Sequence, residues 1–296
     1  MKIAITGANS SVGKILIKQL LAEDDIEVVA GARSDNALSE LPQSPRLQGV
    51  KLDYQQPESL EAALTDCDCV VHLAGILIEN KHSNYATANV AATAAVLDAA
   101  RAASVPRVVF VSVVNADPKA RNAYLRSKGA AEELVKASGL AGGILRTPML
   151  LGPGSAGAAS LVGTASRPQA KVLGGGHYIM RPLDIDDLSR AIIALSRKTD
   201  QQVASYDLVG PQSIAYRDLI TRTAKLMGRD IEISPIPVWT AKLGAAINCT
   251  LKGGGISPTV IDVITSSEDV AENSDQALDI KLTSLDDTLN KIISAH

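Results

Sequence analysis

From residue 2 to residue 145 the chain alternates short apolar runs with helical patterns, and that alternation leaves few folds open. Runs at 2–5, 27–32, 47–52, 69–73, 107–111 and 142–145 read as strands. Stretches at 12–21, 57–64, 89–103 and 124–138 carry helical periodicity, the second opened by a proline suited to a first turn. Strands and helices in succession with short connections form βαβ units, which assemble into a parallel, doubly wound sheet. The supply of side chains agrees. Aromatic residues are only 3% of the chain, with one Phe and one Trp, so Val, Ile, Leu and Ala must build the core. Such residues fill strands that helices cover on both faces.

Past residue 146 the pattern loosens. Residues 152–176, rich in Gly, Ala, Ser and Pro, read as loops with one short helix. Helices are expected at 183–195 and 216–227 and a strand at 206–209. Residues 229–296 mix short elements around a loop at 252–258. The expected organisation is a sheet domain at 1–150 and a smaller α/β region at 151–296, folded against the sheet's carboxyl edge.

Bulk properties exclude several classes. The net charge is −3, there is no long basic block, and aromatic stacking platforms are scarce, so no nucleic-acid partner is expected. Three cysteines, Cys67, Cys69 and Cys249, do not make a disulfide framework, and the first two read as small core residues. The histidines, His72, His82, His177 and His296, lack metal-ligand spacing, and no metal is expected. The first residues carry no secretory h-region, and no apolar run is long enough to span a bilayer, so the expected compartment is the cytoplasm.

The strongest local motif is Thr6-Gly7-Ala8-Asn9-Ser10-Ser11-Val12-Gly13, which closes the first strand and opens the first helix. That is the context a dinucleotide fingerprint requires. Gly7 permits a tight turn, and Gly13 lets the helix pack closely. The backbone of Asn9, Ser10, Ser11 and Val12 offers N–H groups to a pyrophosphate at a helix N-terminus. Ser10 stands where a middle glycine usually sits and is small enough to keep the backbone close. With the alternation, this turn implies a Rossmann-type fold.

Arg33 ends the second strand, where an acidic residue would hold a ribose 2′-hydroxyl. A guanidinium there suits a 2′-phosphate, with Ser34 adding a hydroxyl, so NADP(H) is expected in preference to NAD(H). The competing reading of Arg33 is a solvated surface side chain.

Tyr124-Leu125-Arg126-Ser127-Lys128 places a tyrosine and a lysine four apart on one helix face. A lysine beside a tyrosine is expected to lower the phenol's pKa and ready it for acid–base work. Ser112 ends the fifth strand, at the edge where α/β sheets bind ligands.

This combination resembles the short-chain dehydrogenase/reductase superfamily. The matching residues are the turn at 7–13, Asp53, the run His72-Leu73-Ala74-Gly75, Asn89, Ser112, Tyr124 and Lys128. Leu145-Arg146-Thr147-Pro148 with Gly152-Pro153-Gly154, Arg181-Pro182-Leu183-Asp184-Ile185-Asp186-Asp187-Leu188, and Tyr206-Asp207-Leu208-Val209-Gly210 with Tyr216-Arg217-Asp218-Leu219 are similar to segments of its extended and atypical members. Asp184 stands where those members often carry a His or Tyr. The likeness is nearest to the atypical branch related to the complex I accessory subunit that binds NADPH, some of whose members lack the tyrosine. The resemblance implies that Tyr124 moves a proton to or from the substrate, that Lys128 also binds the nicotinamide ribose, and that Ser112 orients the substrate. It implies that Asp53 contacts adenine, that Leu73, Ala74 and Gly75 pass beneath the cofactor, that Asn89 supports the proton path, and that Pro148 joins the cofactor contacts. Asn89 as a helix cap and Asp53 as a turn residue are the plainer alternatives.

Three functions follow as expectations. The first is an NADP(H)-dependent oxidoreductase acting on a small-molecule carbonyl or alcohol. The second is a non-catalytic NADPH-binding sensor or assembly factor docked on a membrane complex. The third is a sugar-nucleotide epimerase or dehydratase, with Arg146, Arg167 and Arg181 as possible charge donors. Only 11 residues separate Ser112 from Tyr124, so residues 76–88 and 148–182 are expected to shape the pocket. Residues 238–251 place Trp239, Leu243, Ile247 and Leu251 near one helix face, to cover the cleft or to rest on a membrane or partner.

Overall fold

The computed structural model describes every residue except 200, 253 and 269, and every side chain except those and 250 and 252. Its centre is a seven-stranded sheet: β1 (Lys2–Thr6), β2 (Glu27–Ala32), β3 (Leu47–Lys51), β4 (Cys69–His72), β5 (Arg107–Val113), β6 (Ala141–Thr147) and β11 (Val203–Asp207). The spatial order is β3-β2-β1-β4-β5-β6-β11, and every neighbouring pair is parallel. The order reverses direction between β1 and β4, the switch point where such sheets take ligands. The last strand comes from beyond residue 150, so residues on both sides of that position build one sheet.

Alternation along each strand decides which layer a side chain joins. Ile3, Ile5, Val28, Ala30, Cys69, Val71 and Val109 point into one core, shared with α1 (Ser11–Ala22) and α7 (Ile185–Arg197). Ala4, Val29, Val70, Val108 and Phe110 point into the other, shared with α3 (Pro57–Leu64), α4 (Ala92–Ala102) and α5 (Ala123–Lys136). The central strands β1, β2, β4, β5 and β6 are thus covered on both faces, while the edge strands β3 and β11 stay largely open to solvent. Cys67 and Cys69 are buried there as free thiols, pushed up by burial to about 11 and about 12.

The C-terminal elements gather over the carboxyl edge. Helices α6 (Ala156–Ala165), α8 (Tyr216–Leu226) and α11 (Leu285–Ser294) enclose a third core with β8 (Gln169–Leu173) and its parallel partner β13 (Glu232–Ile236). The region 152–176 is more ordered than expected, since α6 and β8 both lie within it. Small pairs β7 (Leu150–Leu151) with β10 (Leu183–Asp184), and β9 (Ile179–Met180) with β12 (Ile214–Ala215), knit the cap to the edge. Asp184 is buried and caps α7, accepting from Asp186 N at 2.8 Å, Thr288 Oγ1 at 2.8 Å and Lys291 Nζ at 2.5 Å. Its role is to fasten α11 to α7. Helices α9 (Val238–Lys252) and α10 (Pro258–Ile264) pack against each other.

Candidate active site

The turn after β1 is held by its backbone. Gly7 N and Ala8 N both donate to Gly31 O, at 3.1 and 3.0 Å, which ties the turn to β2. Gly7 has φ +78°, and a Cβ there would lie 3.0 Å from Ala74 N. A Cβ at Gly13 would lie 2.4 Å from Ala8 O, so the close approach expected between helix and strand is made to the turn itself. Ser10 caps α1, its Oγ accepting from Gly13 N at 3.0 Å. The remaining N–H groups of the first helical turn, at Ser11 and Val12, have no intrahelical acceptor and face the cleft. Cradle and donors fit a pyrophosphate.

Beside this turn, Arg33 leaves the end of β2 exposed, without a hydrogen bond or ion pair among the described residues. The neighbouring Asp35 is engaged elsewhere, on Lys51 Nζ at 2.8 Å, which holds its carboxyl below the usual range. Ser34 caps the short helix α2 (Asp35–Ser39) by accepting from Ala37 N at 3.2 Å. Asp53 is exposed, and its Oδ1 accepts from Gln55 N at 2.9 Å, closing a turn. Arg33, Ser34 and Asp53 stand together at the β2–β3 end of the edge, away from the cavity described next.

A cavity of about 700 Å³ runs from Ser10, Ser11 and Val12 past Leu73 and Gly75 to Ser112, Tyr124, Lys128 and Pro148. Gly7, Asn9, Gly13, Ala74 and Asn89 frame it without lining it. Ser112 Oγ is buried and has no hydrogen-bond partner among the described residues. A buried hydroxyl left unpaired costs about 1–3 kcal/mol, so it marks a place that a ligand completes. Lys128 is buried, donates to Val111 O at 2.9 Å and sits 4.2 Å over the Phe110 ring. Burial brings its ammonium down to about 8, against a smaller upward pull from Glu132.

Tyr124 corrects one expectation. Its phenol is pushed upward, by burial first and then by the neighbouring Tyr85 ring 5.7 Å away. Lys128, turned to the Val111 carbonyl, does not lower it in this state. Asn89 is no helix cap: it lies inside a π-helical stretch, Ala86–Ala91, that precedes α4. Its Oδ1 accepts from Ile76 N at 2.8 Å, and its Nδ2 donates to Ile76 O at 3.1 Å and Ser127 Oγ at 2.9 Å. Behind it runs a buried relay. Thr93 Oγ1 donates to Asn89 O at 2.6 Å, so it accepts from His72 Nε2 at 3.1 Å, and His72 Nδ1 accepts from Thr6 Oγ1 at 2.6 Å. Burial, then the Lys128 charge, drives His72 down to about 3, so it stays neutral and holds this tautomer.

The outer wall departs furthest from expectation. Residues Ile76 and Leu77 and several between 148 and 180 line it as expected, but Tyr216 and the segment 263–268 join them. Tyr178 and Tyr216 stack at 5.4 Å, two of only six tyrosines in an aromatic-poor chain, which is the signal that marks them. Glu268 accepts from Met149 N at 2.7 Å and Arg181 N at 3.0 Å, and burial pushes its carboxyl up. Among the described residues none of α9 lines the cavity, so the expected cover over the cleft is not made by them.

A glycine turn at a helix N-terminus, at the switch point of a doubly wound sheet, with Ser, Tyr and Lys beside it, defines a Rossmann-type dinucleotide-binding protein. More narrowly, the chain belongs to the NAD(P)H-binding family, whose profile matches residues 7–172, more than half its length. It is 24% identical over 236 residues to a ceramide reductase of Caulobacter vibrioides, covering 79% of this chain and 73% of that one. It is 23% identical over 263 residues to the photosystem II assembly factor Ycf39 of Cyanophora paradoxa, covering 86% and 77%. The structure of MoeE5 in complex with UDP-glucose and NAD superposes with a TM-score of 0.78 at 22% identity, covering 100% of this chain and 98% of that one. The protein is therefore NAD(P)H-binding, and the proteins it resembles include both a reductase and an assembly factor. Among the described residues no helix is long and apolar enough to cross a membrane.

Proposed function

We propose that this protein uses NADPH to reduce the carbonyl group of an uncharged, largely apolar small molecule. The observation that carries the reading is the buried, unpartnered Ser112 hydroxyl in one cavity with Tyr124 and Lys128. The dinucleotide would be held by the turn at 7–13, with its nicotinamide end toward Lys128, and would supply a hydride to the carbonyl carbon. Ser112 donates to the carbonyl oxygen and fixes its position. Tyr124, which burial keeps protonated, gives its proton to that oxygen as charge develops there. Lys128 stabilises the phenolate left behind, and Asn89, braced by the relay through Thr93 and His72, holds Ser127 and the 76 loop in register. Unpaired Arg33 is placed for a 2′-phosphate and favours NADPH over NADH.

The substrate reading rests on the wall. Ile76, Leu77, Met149, Leu150, Met180 and Val263 dominate it. A sugar nucleotide would need cations for its diphosphate. Arg146 is spent on Glu132, with two bonds of 3.0 Å and one of 2.5 Å, and Arg181 on Gly210 O at 3.2 and 3.0 Å. Neither they nor Arg167 lines the cavity, and of its outer wall only the exposed Lys171 on β8 is cationic among the described residues. The likeness to ceramide reductase favours the same chemistry, and the likeness to Ycf39 favours the second reading, an assembly factor that holds its dinucleotide without turnover. The test is NADPH consumption with a panel of long-chain and aryl ketones and aldehydes beside UDP-glucose. Consumption with the apolar carbonyls supports the proposal. Tight NADPH binding with none consumed, or conversion of UDP-glucose, overturns it.

A further inference from the structure

Helix α9 carries an apolar stripe that the described residues leave more than half exposed. Trp239, Leu243, Ile247 and Leu251 recur every four residues and are 70%, 59%, 56% and 80% exposed. Residues four apart share a helix face, so the stripe runs along one side for about 18 Å. Of the nine large apolar residues that are exposed among those described, six lie between 239 and 264. A lone exposed leucine needs no explanation, but a contiguous patch marks a contact.

The size, charge and setting of the patch select the contact. Four to six side chains fall short of the roughly 20–30 residues a side that a stable protein interface engages. The fifteen residues of α9 include Lys242, which pairs with Asp262 of α10, and Lys252, and no acidic residue, in a chain of net charge −3. Trp239, in the helix's first turn, is the amphipathic type that settles at the headgroup level of a bilayer. The patch also continues into the cavity wall. Ile264, at the end of α10, is both exposed and cavity-lining. Gly255 N donates to Glu79 O at 3.2 Å, joining the turn after α9 to the loop that carries cavity-lining Ile76 and Leu77. A protein partner on this face would cap an apolar cleft, whereas a lipid surface would open onto it.

We propose that α9 docks the protein on an anionic phospholipid surface, with the stripe from Trp239 to Leu251 laid among the lipid headgroups and acyl ends. This is the geometry of an interfacial helix, which binds by buried apolar area and by lysine attraction to acidic lipid. It delivers a membrane-dissolved substrate to the cavity from the side on which that substrate resides. The docking rests on α9 alone and holds whichever reaction the cleft performs.

Trp239 is the only tryptophan in the chain, so its emission reports on the stripe directly. Mixed phosphatidylcholine–phosphatidylglycerol vesicles added to the intact protein should shift that emission to the blue and carry the protein down on sedimentation. The double variant Leu243→Glu, Ile247→Glu alters two side chains already more than half exposed, so its unfolding midpoint and NADPH affinity should match the parent. Its vesicle partition should fall by about tenfold or more. No shift and no sedimentation, or equal binding by the double variant, overturns the proposal. So does a concentration-dependent dimer, seen by light scattering, that the double variant dissolves, since a second copy would then be the occupant.

Discussion

The two ends of the sheet's carboxyl edge are built on different principles. At the β1–β2–β3 end, neighbours in sequence make the site: Gly7 and Gly13 in one turn, Ser10 as a cap, and Arg33 and Ser34 at a strand end. Its surfaces are open and its donors are backbone groups. At the β4–β5–β6 end, residues more than a hundred positions apart close one apolar cavity, from Ile76 to Glu268. There the Ser112 hydroxyl is buried and has no hydrogen-bond partner among the described residues. The first end is fit for an invariant, charged ligand. The second can be refitted for a new substrate without disturbing the first.

The largest expected effect falls where the two ends meet. Tyr124→Phe removes the proton donor and should lower turnover by about 10²–10⁴-fold, in steady-state NADPH oxidation, with NADPH affinity unchanged. If affinity falls equally, the tyrosine belongs to the cofactor end and the division is wrong. Next, Arg33→Ala should weaken NADPH binding by about 10–100-fold and leave NADH nearly unaffected, read by fluorescence titration of both. Equal losses would make Arg33 a solvated side chain. Smaller still, Ser112→Ala should raise stability by about 1 kcal/mol while lowering turnover, since it removes a buried unpaired hydroxyl. Thermal unfolding checks the first half of that statement.

A pH profile supplies the smallest and most specific test. Lys128 titrates at about 8 in the fold and near its ordinary 10.5 when unfolded. Between those values the unfolded chain binds more protons, so this group's destabilising contribution is full below pH 8 and is relieved as pH rises toward 10.5. Reduction should instead decline above about 8, as the lysine loses the charge that supports the Tyr124 phenolate. In the absence of the lysine, as in Lys128→Met, both trends should vanish.

The same division explains what the sequence could disclose. The strands and the longer helices up to residue 147 are legible from their periods, and the turn at 7–13 because its residues are contiguous, whereas the five-residue α2 has no buried residue to mark it. Ser112, Tyr124 and Lys128 were legible as types at strand ends and on one helix face. The parallel pairing of β8 with β13, the Tyr178–Tyr216 stack and the Glu268 strap to Met149 and Arg181 were not, because each joins segments tens of residues apart or more with no local signature. The direction of the Tyr124 shift was misread for a related reason. Spacing shows that a lysine lies four residues on, but only packing shows that it bonds Val111 O and that burial outweighs its charge.

Deuteride transfer joins both ends of the edge in one measurement. NADPH carrying deuterium at the transferable nicotinamide position is incubated with the protein and a long-chain ketone, and the product is examined by mass spectrometry. Direct reduction in one cleft predicts an alcohol bearing one deuterium on its carbinol carbon, formed by the parent protein and absent with Tyr124→Phe. Stoichiometric NADPH binding with no labelled alcohol from any apolar carbonyl would contradict it.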